Sequence, residues 1–372
     1  MAVDFEAEGL LDGIEDAGAR HARLELLERL TADGVPLDEL KRAAEEDRLA
    51  LVPVERILQP PAGARYTAHE IAERSGVDVD FLDRMWRALG LPLLDRDDPV
   101  YTDEDVEAAS TVQGFLEAGF APEAVIEITR VLGTSMATVV SAVNDLVRET
   151  LVRPGDSELD VAMRLSDAAR FLAPQLEPLL TYVANRHRLE QNRQAMASAA
   201  ELAGGLRGSR WIVACFADLV GFTKLGESLP PEELGAVAGR LAEMAADVVE
   251  PPVHLVKTIG DAVMLVSPEA DAALESALAL LERSEAEGED FPELRAGLAA
   301  GEALRRAGDW YGRAVNTASR VTSHARRGSV LATADVRDAA RGDFAWSKAG
   351  IRHLRGISDD VPLFRVRRQT AD

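Results

Sequence analysis

Trp211-Ile-Val-Ala-Cys-Phe-Ala217 is an apolar run bounded by Arg210 and Asp218. A stretch this short, closed by charge at both ends, reads as a strand buried in a sheet. The C-terminal half organises around it. Residues 231–249 carry a helical apolar period. Residues 254–257 and 262–266 flank Thr258-Ile-Gly-Asp261, a β-hairpin with its turn at Gly260 and Asp261. A helix over 271–286, a strand over 294–300 and a helix over 316–325 follow. A strand over 330–332, a short helix over 333–340 and strands near 344–349 and 363–366 complete the half.

Strand–helix–strand–strand–helix–strand is the ferredoxin-like order, an α+β arrangement with helices on one face of the sheet. The half before Trp211 is of another kind. Ala, Leu, Glu and Arg dominate it, and apolar residues recur at three and four, as at Leu24, Leu27 and Leu30, so it reads as all-helical. Thr67 followed by Glu70 fits a capping box and starts a helix. Breaks fall at Gln59-Pro-Pro-Ala-Gly63, Gly90-Leu-Pro92 and Arg153-Pro-Gly155. A last helix over 178–203, with a large polar face, leads into Gly204-Gly-Leu-Arg-Gly-Ser-Arg210, a Gly-rich linker.

At roughly 100–200 residues per domain, 372 residues also suggest two domains. A single Cys excludes an intrachain disulfide framework and a Cys-rich zinc module. No run approaches about 18 consecutive apolar residues, and the acidic start lacks a signal peptide's basic n-region. The expectation is a soluble, cytoplasmic protein without a membrane partner. The net charge of −23 argues against a surface that coats nucleic acid. It is unevenly spread. Residues 1–205 hold 39 acidic and 20 basic residues, net −19, and residues 206–372 hold 25 and 21, net −4.

Asp218 lies just past the first strand and Asp261 at a hairpin turn. Taken singly, an Asp in such a place is more often a cap or turn residue. Two carboxylates converging at strand ends would repel unless neutralised, and Mg²⁺ with substrate phosphates is the usual solution. Gly221-Phe-Thr223 then opens a helix, whose first N–H groups suit phosphate.

Three motifs occur in order: Phe216-Ala-Asp-Leu-Val-Gly-Phe-Thr223, Lys257-Thr-Ile-Gly-Asp261 and Asp309-Trp-Tyr-Gly-Arg-Ala-Val-Asn-Thr-Ala-Ser-Arg320. On these motifs the chain resembles the class III nucleotide cyclases over about residues 207–370. The resemblance implies that Asp218, Asp261 and the Leu219 carbonyl bind two Mg²⁺ or Mn²⁺ ions per site. One ion would lower the pKa of the ribose 3′-hydroxyl and the other would hold the triphosphate. Gly221, Phe222 and Thr223 would lie along the substrate. Lys257 would donate to the adenine N1 and Asp309 accept from its N6 amino group, a pair that suits ATP over GTP. Asn316 and Arg320, four apart on one helix face, would be the catalytic pair, orienting the ribose and stabilising the transferring phosphoryl group. Arg355, in Leu354-Arg-Gly-Ile357, is a candidate triphosphate contact, against a reading as a structural or idle surface arginine. The family's sites lie between two catalytic domains, so a homodimer with shared active sites is implied.

The resemblance extends to actinobacterial adenylate cyclases with an N-terminal helical autoinhibitory domain, among them acid-activated mycobacterial enzymes. It implies a regulatory domain over 1–177, a switch helix and linker over 178–206 and a catalytic domain over 207–372. His187 in the switch helix is the candidate regulatory residue, since histidine is the side chain type used as a pH switch near neutrality, against a bland reading as a solvent-facing polar group. An apolar helical bundle could also hold a small-molecule or lipid effector, though no motif points to one.

Residues 65–109 look like a MerR-type helix-turn-helix. Asp78, Asp80 and Asp83 accompany Arg84 and Arg87 on its second helix, a poor face for DNA phosphate. A helical scaffold is therefore favoured there. The rival readings of the whole chain are a DNA-binding regulator with a nucleotide-sensing cyclase remnant, and a guanylate cyclase.

Overall fold

The computed structural model describes residues 3–59, 63–199, 209–288 and 290–369. The chain divides into two units, Met1–Ala200 and Glu201–Asp372.

The first unit is helical: α1 (Ala17–Ala32), α2 (Leu37–Glu45), α3 (Val52–Leu58), α4 (Ala68–Ser75), α5 (Val79–Leu89), α6 (Asp103–Glu117), α7 (Pro122–Leu151) and α8 (Glu158–Ala199). Leu26, Leu27 and Leu30 of α1 meet Leu40, Val52 and Ala162 in one core, with Leu24 packed at its edge. Arg23 of α1 grips Glu158 at the start of α8 through two bonds of 2.6 and 3.0 Å. A second core gathers Ile71, Leu82, Met85, Trp86 and Ile126. Thr67 and Glu70 form the expected reciprocal cap of α4. Trp86 stacks on Tyr101 at 4.3 Å between ring centroids, so the aromatic of the helix-turn-helix segment serves packing.

Two expectations change here. The helix assigned to 178–203 begins at Glu158 and runs through Pro174 and Pro178. An interior proline forfeits one backbone bond, yet the flanking turns carry the helix across both. The expected end of that helix past Ala199, linker residues 204–208 and break residues 60–62 lie outside the described residues. In addition, α7 is long and apolar enough by composition to cross a membrane, although no unbroken apolar run marks it.

The second unit comprises β1 (Ser209–Leu219), α9 (Phe222–Leu225), α10 (Pro231–Val248), β2 (His254–Ile259), β3 (Ala262–Ser267), α11 (Ala270–Ala286), β4 (Leu294–Arg306), β5 (Asp309–Tyr311), α12 (Arg313–His324), β6 (Ser329–Thr333), α13 (Ala334–Ala339), β7 (Phe344–His353) and β8 (Asp360–Arg368). The sheet order is β2-β3-β1-β4-β6-β8-β7, with β5 pairing β4. Its first four members reproduce the ferredoxin-like pattern.

The strand opened by Trp211 is buried on both sides, so helices cover both faces rather than the expected one. Val213, Cys215, Ala217 and Leu219 pack against Leu241 and Met244 of α10 and Leu274 of α11. Ile212 and Ala214 pack on the other face with Met264, Ala299 and Ala318 of α12. An apolar run without alternation is what a doubly covered strand requires. Cys215 is buried here, and loss of solvent pushes its thiol up to about 12. Helix α12 lies directly on β4 because Gly297 has no side chain: a Cβ there would sit 2.2 Å from the Thr322 nitrogen. The Thr322 hydroxyl donates to the Phe216 carbonyl at 3.1 Å and pins α12 to β1.

Candidate active site

Alternation along β1 puts Asp218 on the α12 face, with Ile212 and Ala214. Its register partners are Ala262 on β3 and Arg295 on β4. The Leu219 amide donates to the Asp261 carbonyl at 3.0 Å, so the two aspartates occupy one sheet edge. The Leu219 side chain is buried on the opposite face. Any part it has in binding is through its backbone.

Both Asp218 oxygens are engaged by Arg295: Nε donates to Oδ1 at 2.5 Å and Nη2 to Oδ2 at 3.0 Å. These bonds raise the guanidinium's pKa above its ordinary value. Burial opposes the rise, and the charges of Asp218 and Asp261 add to it. Sequence reasoning missed Arg295. Its signal was register: one strand over from Asp218, on the same face.

Lys257 reaches the α12 face by a β-bulge. Leu255 pairs Leu265 and Lys257 pairs Met264, leaving Val256 extra between them. Strict alternation would have placed Lys257 with Leu255 against the α10–α11 core. The bulge places Val256 and Lys257 together against the other. Asp309 arrives by a hairpin, with Arg306 opposite Asp309 and only Ala307 and Gly308 between. Both turn residues have positive φ, 51° and 81°, as a type I′ turn demands. The Lys257 ammonium then donates to Asp309 Oδ2, while the Trp310 amide holds Oδ1 at 2.8 Å. Trp310, like Phe216, Val256 and Val315, packs against the core on the α12 face of the sheet.

Helix α12 carries Asn316, which is exposed, and Arg320, which is partly buried. Arg320 Nη1 is buried without a hydrogen-bond partner. It lies against the turn between β7 and β8, where a Cβ on Gly356 would stand 3.0 Å from it. Leu354 and Ile357 anchor that turn in a core shared with Val321 of α12, and Arg313 bonds Asp359 at 3.0 Å. Arg355 is exposed in the same turn.

Gly221, at φ +82°, leads into α9, a single turn of four residues, Phe222–Leu225, rather than a full helix. Phe222 packs on the α10–α11 core and Thr223 is exposed. His187 is exposed on α8, in the other unit. On α5, Arg84 is committed to Glu123 at 2.8 Å, and Asp80 and Asp83 are taken by Arg96. That face offers DNA little free positive charge.

Two carboxylates and a main-chain carbonyl form an all-oxygen donor set, suited to Mg²⁺ or Mn²⁺ rather than to softer metals. The Arg295 fork on Asp218 marks this carboxylate as a cation's neighbour. Among the described residues there is no cluster of three or more His, Cys, Asp or Glu side chains that could hold a metal by itself. Water or substrate phosphates would complete the shell.

Residues 3–190 match the family described as adenylate cyclase regulatory domain. Residues 209–366 match the adenylate and guanylate cyclase catalytic domain. The pH-sensitive adenylate cyclase MT1302 of Mycobacterium tuberculosis is 43% identical over 361 residues, covering 94% of this chain and 89% of that protein. An adenylate cyclase of Streptomyces griseus is 33% identical over 294 residues, 78% of this chain and 70% of that one. The crystal structure of the adenylyl cyclase CyaB from P. aeruginosa aligns with 44% of this chain and 97% of its own, at 22% identity and a TM-score of 0.38.

Proposed function

Because this chain belongs to the adenylate cyclases that carry a helical regulatory domain ahead of a class III catalytic domain, we propose that it makes 3′,5′-cyclic AMP from ATP at a site shared by two copies of the chain. The ribose 3′-oxygen attacks the α-phosphorus, the bond to the β-phosphate oxygen breaks, pyrophosphate leaves with the electron pair, and the hydroxyl proton passes to solvent. The observation that carries the choice of adenine is the Lys257–Asp309 pair: a donor beside an acceptor on one sheet face. Adenine offers an acceptor at N1 beside a donor at N6, and guanine reverses both. The pair exchanges its mutual contact for the base.

Asp218, Asp261 and the Leu219 carbonyl hold the cations. Mg²⁺ or Mn²⁺, when bound, acidifies the 3′-hydroxyl and neutralises the triphosphate. Asn316 orients the ribose, and Arg320 lends charge and hydrogen bonds where negative charge develops. Gly221, Phe222 and Thr223 border the triphosphate through their backbone, and Arg355 closes over it. Asn316 and Arg320 of one chain serve the metal-binding edge of its partner.

Residues 1–177 are the regulatory domain, 178–206 the switch helix and linker, and 207–372 the catalytic domain of a cytoplasmic enzyme. The relative named as pH-sensitive and the net charge of −19 on residues 1–205 support acid-dependent release of autoinhibition, with His187 as the candidate regulatory residue.

The test is product analysis of full-length protein given ATP or GTP with Mn²⁺ from about pH 5 to pH 8. Cyclic AMP with equal pyrophosphate, lost in Asp218→Ala, is expected. A preference for GTP, or activity surviving Asp218→Ala, contradicts the reading.

A further inference from the structure

We propose that Arg295 is the resident counter-cation of the metal site, a positioning residue that a metal ion must partly displace from Asp218. The inference rests on the reading of Asp218 and Asp261 as the metal-binding carboxylates.

The geometry is specific. Asp218 and Arg295 face each other across the β1–β4 ladder. Nε and Nη2 each take a different oxygen of the carboxylate, at 2.5 and 3.0 Å. The remaining nitrogen, Nη1, donates to the Ser323 carbonyl at 3.3 Å. Ser323 lies in the last turn of α12, where main-chain carbonyls lack helical partners and favour a cation. One guanidinium therefore ties the metal-binding edge of the sheet to the end of the helix that carries Asn316 and Arg320.

Without a cation, Asp218 would stand beside Asp261 with nothing to offset their repulsion. Arg295 supplies that charge through the planar fork that fits a carboxylate best. The same fit sets up a competition. A metal ion bonding to either oxygen of Asp218 must share that oxygen with an Arg295 N–H, one cation beside another. Metal affinity in the nucleotide-free enzyme is accordingly lower than the carboxylates alone would give. Arg295 offsets one of the two carboxylate charges and lowers the pull on stray cations until substrate phosphates add their own ligands.

The test is a Mn²⁺ titration followed by electron paramagnetic resonance, on nucleotide-free full-length protein, with Arg295→Met, Arg295→Lys and Asp218→Asn beside the wild type. Arg295→Met is expected to bind Mn²⁺ at least about threefold more tightly. Arg295→Lys, a point charge without the fork, should fall between. The metal-free Arg295→Met protein should also melt below the wild type, with saturating Mn²⁺ closing the gap. Equal or weaker Mn²⁺ binding in the Arg295 variants overturns the inference. If Arg295→Met does not fold, Arg295→Lys decides alone. Asp218→Asn separates the two claims. Weakened binding there, with unchanged Arg295 variants, overturns only the role of Arg295. Wild-type binding in Asp218→Asn overturns the metal assignment beneath it.

Discussion

Lys257 and Asp309 meet across 52 residues of sequence through two local irregularities of the sheet. A bulge at Val256 turns Lys257 onto the α12 face, and the Ala307–Gly308 turn folds Asp309 back beside β4. Neither residue would reach the other from a regular strand.

If that pair reads the base, Lys257→Ala leaves Asp309 without its ion-pair partner and removes one of two directional contacts. The kcat/KM for ATP should fall on the order of 100-fold, with discrimination against GTP falling in parallel. Steady-state kinetics on both nucleotides checks this. An unchanged ATP/GTP ratio would place recognition elsewhere.

Arg320 depends on an absent side chain. Gly356 holds φ +73°, and a Cβ there would press on Arg320 Nη1 from 3.0 Å. Gly356→Ala combines backbone strain with displacement of the guanidinium. The expected result is kcat down about tenfold, KM for ATP little changed, and a fall in melting temperature of a few degrees, for about 1 kcal/mol of strain. A variant with wild-type kcat would show that Arg320 needs no such seat.

Autoinhibition predicts a gain on truncation. Removing residues 1–205 leaves the catalytic unit with its own core around Val213, Leu241 and Leu274. Its specific activity near neutral pH should rise about tenfold, a usual size for coupling between sites, and its pH profile should flatten. His187→Ala in the full chain should shift the acidic limb if that side chain takes part. A truncated enzyme with the full-length profile would remove the regulatory claim.

Much of the catalytic unit was legible because its signals are local. The apolar run at Trp211, the turn at Gly260 and Asp261 and the strand–helix order need no knowledge of distant residues. What was missed depends on register and packing. The bulge at Val256 is a one-residue event and the turn before Asp309 a two-residue one, and neither is announced by apolar periodicity. Helices on both faces follow from α12 closing on Gly297, which only the assembled sheet makes evident. Arg295 looked like any charged residue at a strand start until pairing set it beside Asp218. In the first unit, Pro178 looked like a helix start, but α8 had already begun at Glu158, where Arg23 holds it. The three motifs were legible, and the placing of Asp218, Lys257 and Asp309 on one sheet face was not.

A mixing experiment tests the shared active site most directly. Asp218→Ala removes the metal-binding side of a shared site, and Asn316→Ala removes the side its partner supplies. Each variant alone should be nearly inactive. Co-expressed in equal amounts, they should recover about a quarter of wild-type activity, since half of randomly paired dimers are mixed and each mixed dimer holds one intact site. A mixture that stays inactive, although mixed dimers are isolated by two different tags, would contradict the shared active site.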